Sequence, residues 1–120
     1  MAFFGVPDTG AEFNIDVVSI ATSAQTSTAI DLSSRGLVGF QMPSAFTGTT
    51  VTFVGTHDDE NGTYQALYNS DNTAFSITVA VDRQYVLCPS DFLGVRYVKF
   101  VSGSAEAASR SIVVTTRSFM

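Results

Sequence analysis

Apolar residues recur at every second position in one segment of this chain after another. Nowhere do they keep the spacing of three or four that a helix longer than one turn requires. Phe75, Ile77, Val79 and Val81 alternate with Ser76, Thr78 and Ala80, and Val51 and Phe53 alternate with Thr50, Thr52 and Thr56. Period-two alternation is the mark of a strand with one buried face. The cluster Asp58-Asp59-Glu60-Asn61-Gly62 reads as a turn, because Asn-Gly supplies the positive φ angles of a tight hairpin.

The same reading along the chain gives about nine strands, at 14–20, 28–32, 37–42, 51–57, 63–68, 75–81, 84–87, 95–101 and 111–118. Turn-forming clusters separate them, as in all-β sandwiches. Both faces of 95–101 carry large residues, which places that strand in the middle of a sheet. Residues 89–94 are long enough for a single helical turn, capped by Ser90 or Asp91 and closed by Gly94. The small residues of 102–109 read as a surface loop. The expected fold is all-β: an antiparallel two-sheet β-sandwich, jelly-roll-like, with the sandwich domain at 14–120. Its core candidates are Leu37, Phe40, Val51, Phe53, Ile77, Val79, Val98 and Val113.

Residues 1–13 behave differently. They hold Phe3, Phe4, Val6 and Phe13, but Gly5, Pro7 and Gly10 break every periodicity. Two readings stand: a terminal segment tucked along its own domain, or an N-terminal extended arm whose aromatics dock on a neighbour. These four residues are the candidate protein-interaction residues.

Composition narrows the function classes. A chain of 120 residues is one ordinary domain, and 45% hydrophobic with 14% charged residues is the opposite of a disordered balance. The net charge of -5 disfavours nucleic acid and anionic membrane as partners, since both are bound through basic residues. No apolar run approaches a membrane span, and 1–13 lack the basic start of a secretory signal, so synthesis and folding in a cytoplasm are expected.

Little in the chain promises chemistry. Cys88 and His57 are each the only residue of their type, so no internal disulfide or zinc pattern is expected, and Cys88 reads as a small buried hydrophobe. Asp58, Asp59, Glu60 and Asn61 offer oxygen ligands for calcium, but without the spacing of a calcium loop. Asp16, Asp31, Asp82 and Asp91 are too scattered to define a carboxylate pair. Tyr64, Tyr68, Tyr85 and Tyr97 are the candidates for a flat platform for sugars, set against ordinary burial. No catalytic residue, metal or cofactor is expected, and the chain is not expected to be an enzyme.

Two motifs carry a resemblance. Residues 37–47 fit L-V-G-x-x-M-P-x-A-x-T, and residues 92–103 fit F-x-G-x-R-Y-x-K-x-x-S-G. Together with TYQALY and the closing SIVVTTR, residues 28–118 resemble a family of small virion-associated proteins of tailed phages and prophages. The resemblance implies a structural, non-enzymatic role as a capsid decoration or cement protein. Such a protein lies on the capsid surface of the virion and bridges major capsid protein subunits as a homodimer or homotrimer. The alternative is a head- or tail-fibre module that binds host glycans.

Overall fold

The computed structural model describes residues 12–118, which form nine strands and one short 3-10 turn. In chain order the strands are β1 (Phe13–Ile20), β2 (Thr26–Asp31), β3 (Arg35–Gln41), β4 (Thr50–Thr56), β5 (Gln65–Ala66), β6 (Ser76–Thr78), β7 (Gln84–Val86), β8 (Tyr97–Ser102) and β9 (Arg110–Ser118). The turn spans Pro89–Phe92, between β7 and β8.

All pairings are antiparallel, and they make two sheets. The first has the order β1-β9-β3-β7; the second has β2-β8-β4-β5, with β6 also paired to β4. The chain crosses between sheets at almost every connection, and the late strands β8 and β9 slot between early ones. That wrapping is the jelly roll. The expected sandwich is therefore present, and β8 is central, as its two bulky faces required.

Alternation fixes the inner faces. Val51, Phe53 and Gly55 of β4 point inward with Val98, Phe100 and Ser102 of β8. Rings form the centre: Phe53 and Phe100 have centroids 4.9 Å apart, Phe40 and Phe100 5.1 Å, and Phe53 and Phe92 5.3 Å. Each buried ring contributes roughly 1.5–3 kcal/mol through lost apolar exposure. Phe92 comes from the 3-10 turn, so that turn plugs one end of the core.

Two expectations about the core are corrected. Val113 is only half-buried, because β9 turns Ile112, Val114 and Thr116 inward. The run Ile-Val-Val is apolar on both faces, so alternation alone does not choose its register. Ile77 is also only half-buried, because β6 pairs along one side only and is three residues long. In β3 the pairing to β9 skips Val38, with Thr115 opposite Gly39 and Thr116 opposite Leu37. This bulge is why Leu37 and Phe40 are both fully buried although they are three positions apart, an offset that would put them on opposite faces of a regular strand.

The turn at 58–62 differs from a tight Asn-Gly hairpin. Gly62 N–H donates to the Asp59 carbonyl at 2.9 Å, and Asn61 N–H donates to Asp59 Oδ1 at 3.0 Å. Among the described residues those outside glycine with positive φ are Ser23, Asn72 and Asp82, and Asn61 is not one of them. Aspartate side-chain capping, rather than left-handed backbone, makes this turn.

The loop 103–109 is not purely a surface loop. Glu106 within it is 1% exposed. Its carboxylate accepts from Thr47 N–H at 2.8 Å, Gly48 N–H at 3.0 Å, Ser102 Oγ at 2.6 Å and Arg110 Nε at 2.9 Å. Burial pushes this carboxyl up, but the donations from Ser102, Thr47, Arg110 and Gly48 outweigh it and hold the group below its ordinary value. Glu106 thus ties the β8–β9 loop to the β3–β4 loop. Gly48 is needed there, since a Cβ on it would overlap Ser102 Oγ.

Candidate functional site

Phe13, Ile15 and Val17 are 50%, 64% and 57% exposed, on one face of one strand. The sequence of β1, FNIDVVSI, explains why this is unusual. Its more apolar alternating set is Phe13, Ile15 and Val17, yet Val18 and Ile20 are the residues turned into the core. Asn14 and Asp16 therefore take the inner side and the three large residues face outward. Asp16 is answered there by Arg35, with Nη1 to Oδ2 at 3.3 Å.

The neighbouring strands extend the row. Val17 lies opposite Val113, Ile15 opposite Thr115, and Phe13 opposite Arg117, whose guanidinium lies 5.1 Å over the Phe13 ring. Further across, Thr115 lies opposite Gly39 and Gly39 opposite Val86, which is exposed. The outer face of the first sheet therefore carries a band of valine, isoleucine, phenylalanine and threonine.

Among the described residues β1 is also the long edge of its sheet. Ser118 N–H donates to the Glu12 carbonyl at 3.0 Å, so the even-numbered residues of β1 turn their backbone groups toward β9. The backbone groups of Phe13, Ile15 and Val17 face the other way. Further along, Ser19 N–H points to Thr28 Oγ1 of β2 at 3.1 Å. This edge of eight residues with an apolar outer row is longer than the edge β2, with six residues, and than the margin strands β5, β6 and β7, with two or three each. Short edges are the usual protection against pairing.

Of the four residues singled out in the sequence, Phe13 opens β1 and lies in this row. Phe3, Phe4 and Val6 lie outside the described residues. Ile15, Val17 and Val86 escaped the sequence reading. The signal available was the inverted alternation of β1, where polar Asn14 and Asp16 share a side with buried Val18 and Ile20.

The other candidates disperse. Tyr85 stacks on Phe40 at 5.2 Å and its hydroxyl accepts from Ala80 N–H at 2.8 Å, so it belongs to the core. Tyr64 lies under Lys99 at 4.2 Å and donates to the Glu60 carbonyl at 2.8 Å. Tyr97 lies under Arg96, and Tyr68 is exposed by itself near a separate cleft, so the four rings make no common platform. Cys88 is exposed, not buried, with its sulfur 2.9 Å from Ser90 Oγ. Among the described residues no three His, Cys, Asp or Glu side chains are placed to share a metal, and no helix is long and apolar enough to cross a membrane.

Fold and surface together define a small jelly-roll domain with one apolar outer sheet face. Among solved structures the chain is similar to the SPBc2 prophage-derived protein YomS, with a TM-score of 0.58 and 16% identity, covering 95% of this chain and 100% of that one. At that identity the likeness is one of fold. A protein from disulfide-linked pili of Bacillus endospore appendages also aligns, with a TM-score of 0.37 and 17% identity, over 100% of this chain and 99% of that one. No family model matches the chain, and no curated protein does.

Proposed function

We propose that this chain is a structural, non-enzymatic virion protein of the capsid decoration or cement type. It attaches to the outer surface of a phage head, bridges major capsid protein subunits, and acts as a homodimer or homotrimer. The observation that carries this reading is the exposed row Phe13, Ile15 and Val17 on β1. A contiguous exposed apolar row is the kind of surface that a protein partner covers. The fold likeness to a prophage-derived protein and the sequence resemblance to phage virion proteins supply the setting.

The alternative is a fibre-associated glycan-binding module. It draws on Tyr68, exposed on a cleft of about 400 Å³ shared with Asn69, Ser70 and Asp91. A single open ring is a smaller basis than the β1 row, and this reading comes second. Quantifying the chain in purified virions by mass spectrometry separates the two. Decoration predicts a copy number matching the sites of the shell. A copy number matching fibres supports the second reading, and absence from the particle overturns both.

A further inference from the structure

A cleft of about 470 Å³ opens at the end of the sandwich where β1 begins and β9 ends. It is within the size range of ligand sites. Arg35, Arg96, His57 and Ser33 line one part of it, and Pro89, Phe92, Leu93 and Val95 line another. The full chain has 11 acidic against 6 basic residues, yet no Asp or Glu is part of this lining. Two of the six cationic side chains and the single histidine have been brought to one concavity.

The fold positions Arg96 firmly. Its N–H donates to the Thr56 carbonyl at 2.8 Å and its carbonyl accepts from Leu32 N–H at 2.7 Å, which fastens it to the ends of β4 and β2. Its Nε donates to Ser33 Oγ at 3.1 Å and its guanidinium lies 5.5 Å over the Tyr97 ring, which fixes the orientation of the group. Arg35 spends Nη1 on Asp16. The nearby acids Asp16 and Asp31 line a neighbouring cleft that shares Arg35. There Asp31 Oδ1 accepts from Ser33 N–H at 2.8 Å. The Ser33 side chain, acting against burial, holds the Asp31 carboxyl low, with help from Ser33 N–H, Arg96 and Arg35.

The geometry points to a carboxylate-binding site for a polypeptide partner, in which an acidic side chain meets Arg35 and Arg96 while an adjacent aliphatic side chain packs on Leu93 and Val95. Guanidinium groups bind carboxylates through charge-assisted, often paired hydrogen bonds. The apolar wall sets the second requirement, since Leu93 is 63% exposed beside the charged part. A sugar acid fits less well, because the lining offers no exposed phenyl or phenol face for a sugar ring to stack on: its one such ring, Phe92, is 2% exposed. This inference does not depend on the β1 row, although Arg35, which answers Asp16 of β1, links the two surfaces.

The test is a nuclear magnetic resonance titration of the full chain with the peptide acetyl-Gly-Leu-Glu-Gly-amide. Its Gln counterpart, glucuronic acid and inorganic phosphate are titrated in parallel. The expected result is saturable shifts at residues 32–36, 57 and 93–96 with the Glu peptide, and at least tenfold weaker binding of the Gln peptide. Arg96→Gln should abolish the shifts. Where that variant alters the fold, Arg35→Gln, which breaks only an exposed pair, should weaken them. Absence of local saturable shifts, or equal binding of both peptides, overturns the proposal. Tighter binding of glucuronic acid or of phosphate than of the Glu peptide overturns the assignment to a polypeptide.

Discussion

At one end of the sandwich four donors converge on a buried carboxylate, and at the other two guanidinium groups line an open cleft. The first end holds the β1–β2, β3–β4 and β8–β9 loops. Glu106 carbonyl also accepts from Ser23 N–H at 2.8 Å, and Ala24 carbonyl accepts from Glu106 N–H at 2.9 Å. Backbone and side chain of one residue thereby lock three loops. The second end holds the start of β1, the β2–β3 turn and the 3-10 turn, with apolar side chains and charged groups left facing outward. The difference teaches where this protein has satisfied its polar and apolar groups internally and where it has left them for something else. Full internal satisfaction produces rigidity, whereas exposed apolar rows and open cationic clefts are the features that partners use.

The comparison breaks most readily at Glu106. Glu106→Ala leaves Arg110, Ser102 and two backbone N–H groups without their acceptor. A loss of about 3–5 kcal/mol is expected, as when one member of a buried pair is removed. Denaturant unfolding measures it, and a loss near that of an ordinary surface substitution would remove Glu106 from its central place.

Acid should act on the same end. The folded-state value of the Glu106 carboxyl lies below its ordinary 4.5, so the unfolded chain binds its proton first. The stabilisation is therefore fully present above about 4.5 and is lost as pH falls through the lowered value. Asp31 and Asp71 are also held low and act in the same direction. Glu106→Gln isolates one residue: its melting temperature should fall less steeply with acid than that of the parent chain. Identical slopes would contradict the assignment.

Smaller effects sharpen the contrast. Thr116 is fully buried in β9, and its hydroxyl has no hydrogen-bond partner among the described residues. Thr116→Val removes that unsatisfied group at nearly constant shape, and a gain on the order of 1 kcal/mol is expected in thermal unfolding. At the open end Arg35→Gln breaks a pair whose side chains are 37% and 42% exposed. Stability should change by less than about 1 kcal/mol, because solvent already screens this pair. A larger loss would mean that the open end is braced like the closed one.

How much of this was legible in the sequence follows from the physics of each element. β4 and β8 were legible because burial on a sandwich face enforces alternation, and β8 revealed its central place through bulk on both faces. β9 hid its register, because Ile112, Val113 and Val114 satisfy either choice. Residues 63–68 and 75–81 read as full strands but pair only at Gln65–Ala66 and Ser76–Thr78, plus one bridge between Tyr68 and Ala74. Pattern records which side chains are apolar, not whether a partner strand lies alongside. Glu106 was hidden among alanine and serine, since its four donors come from residues up to 59 positions away. The Arg35–Arg96 cleft was hidden for the same reason, being assembled from three separate segments.

The most direct measurement compares the parent chain with the double variant Ile15→Asp/Val17→Asp in binding to undecorated phage heads. Both positions are outward-facing, so the variant should keep its melting temperature and its β-sheet spectrum. Two lost apolar anchors of roughly 1.5–3 kcal/mol each predict affinity weaker by about a hundredfold or more. The weakening should persist in high salt, where apolar contacts are barely screened. A folded double variant that fills the heads with unchanged affinity would contradict the claim that the outer row of β1 is where this protein meets its partner.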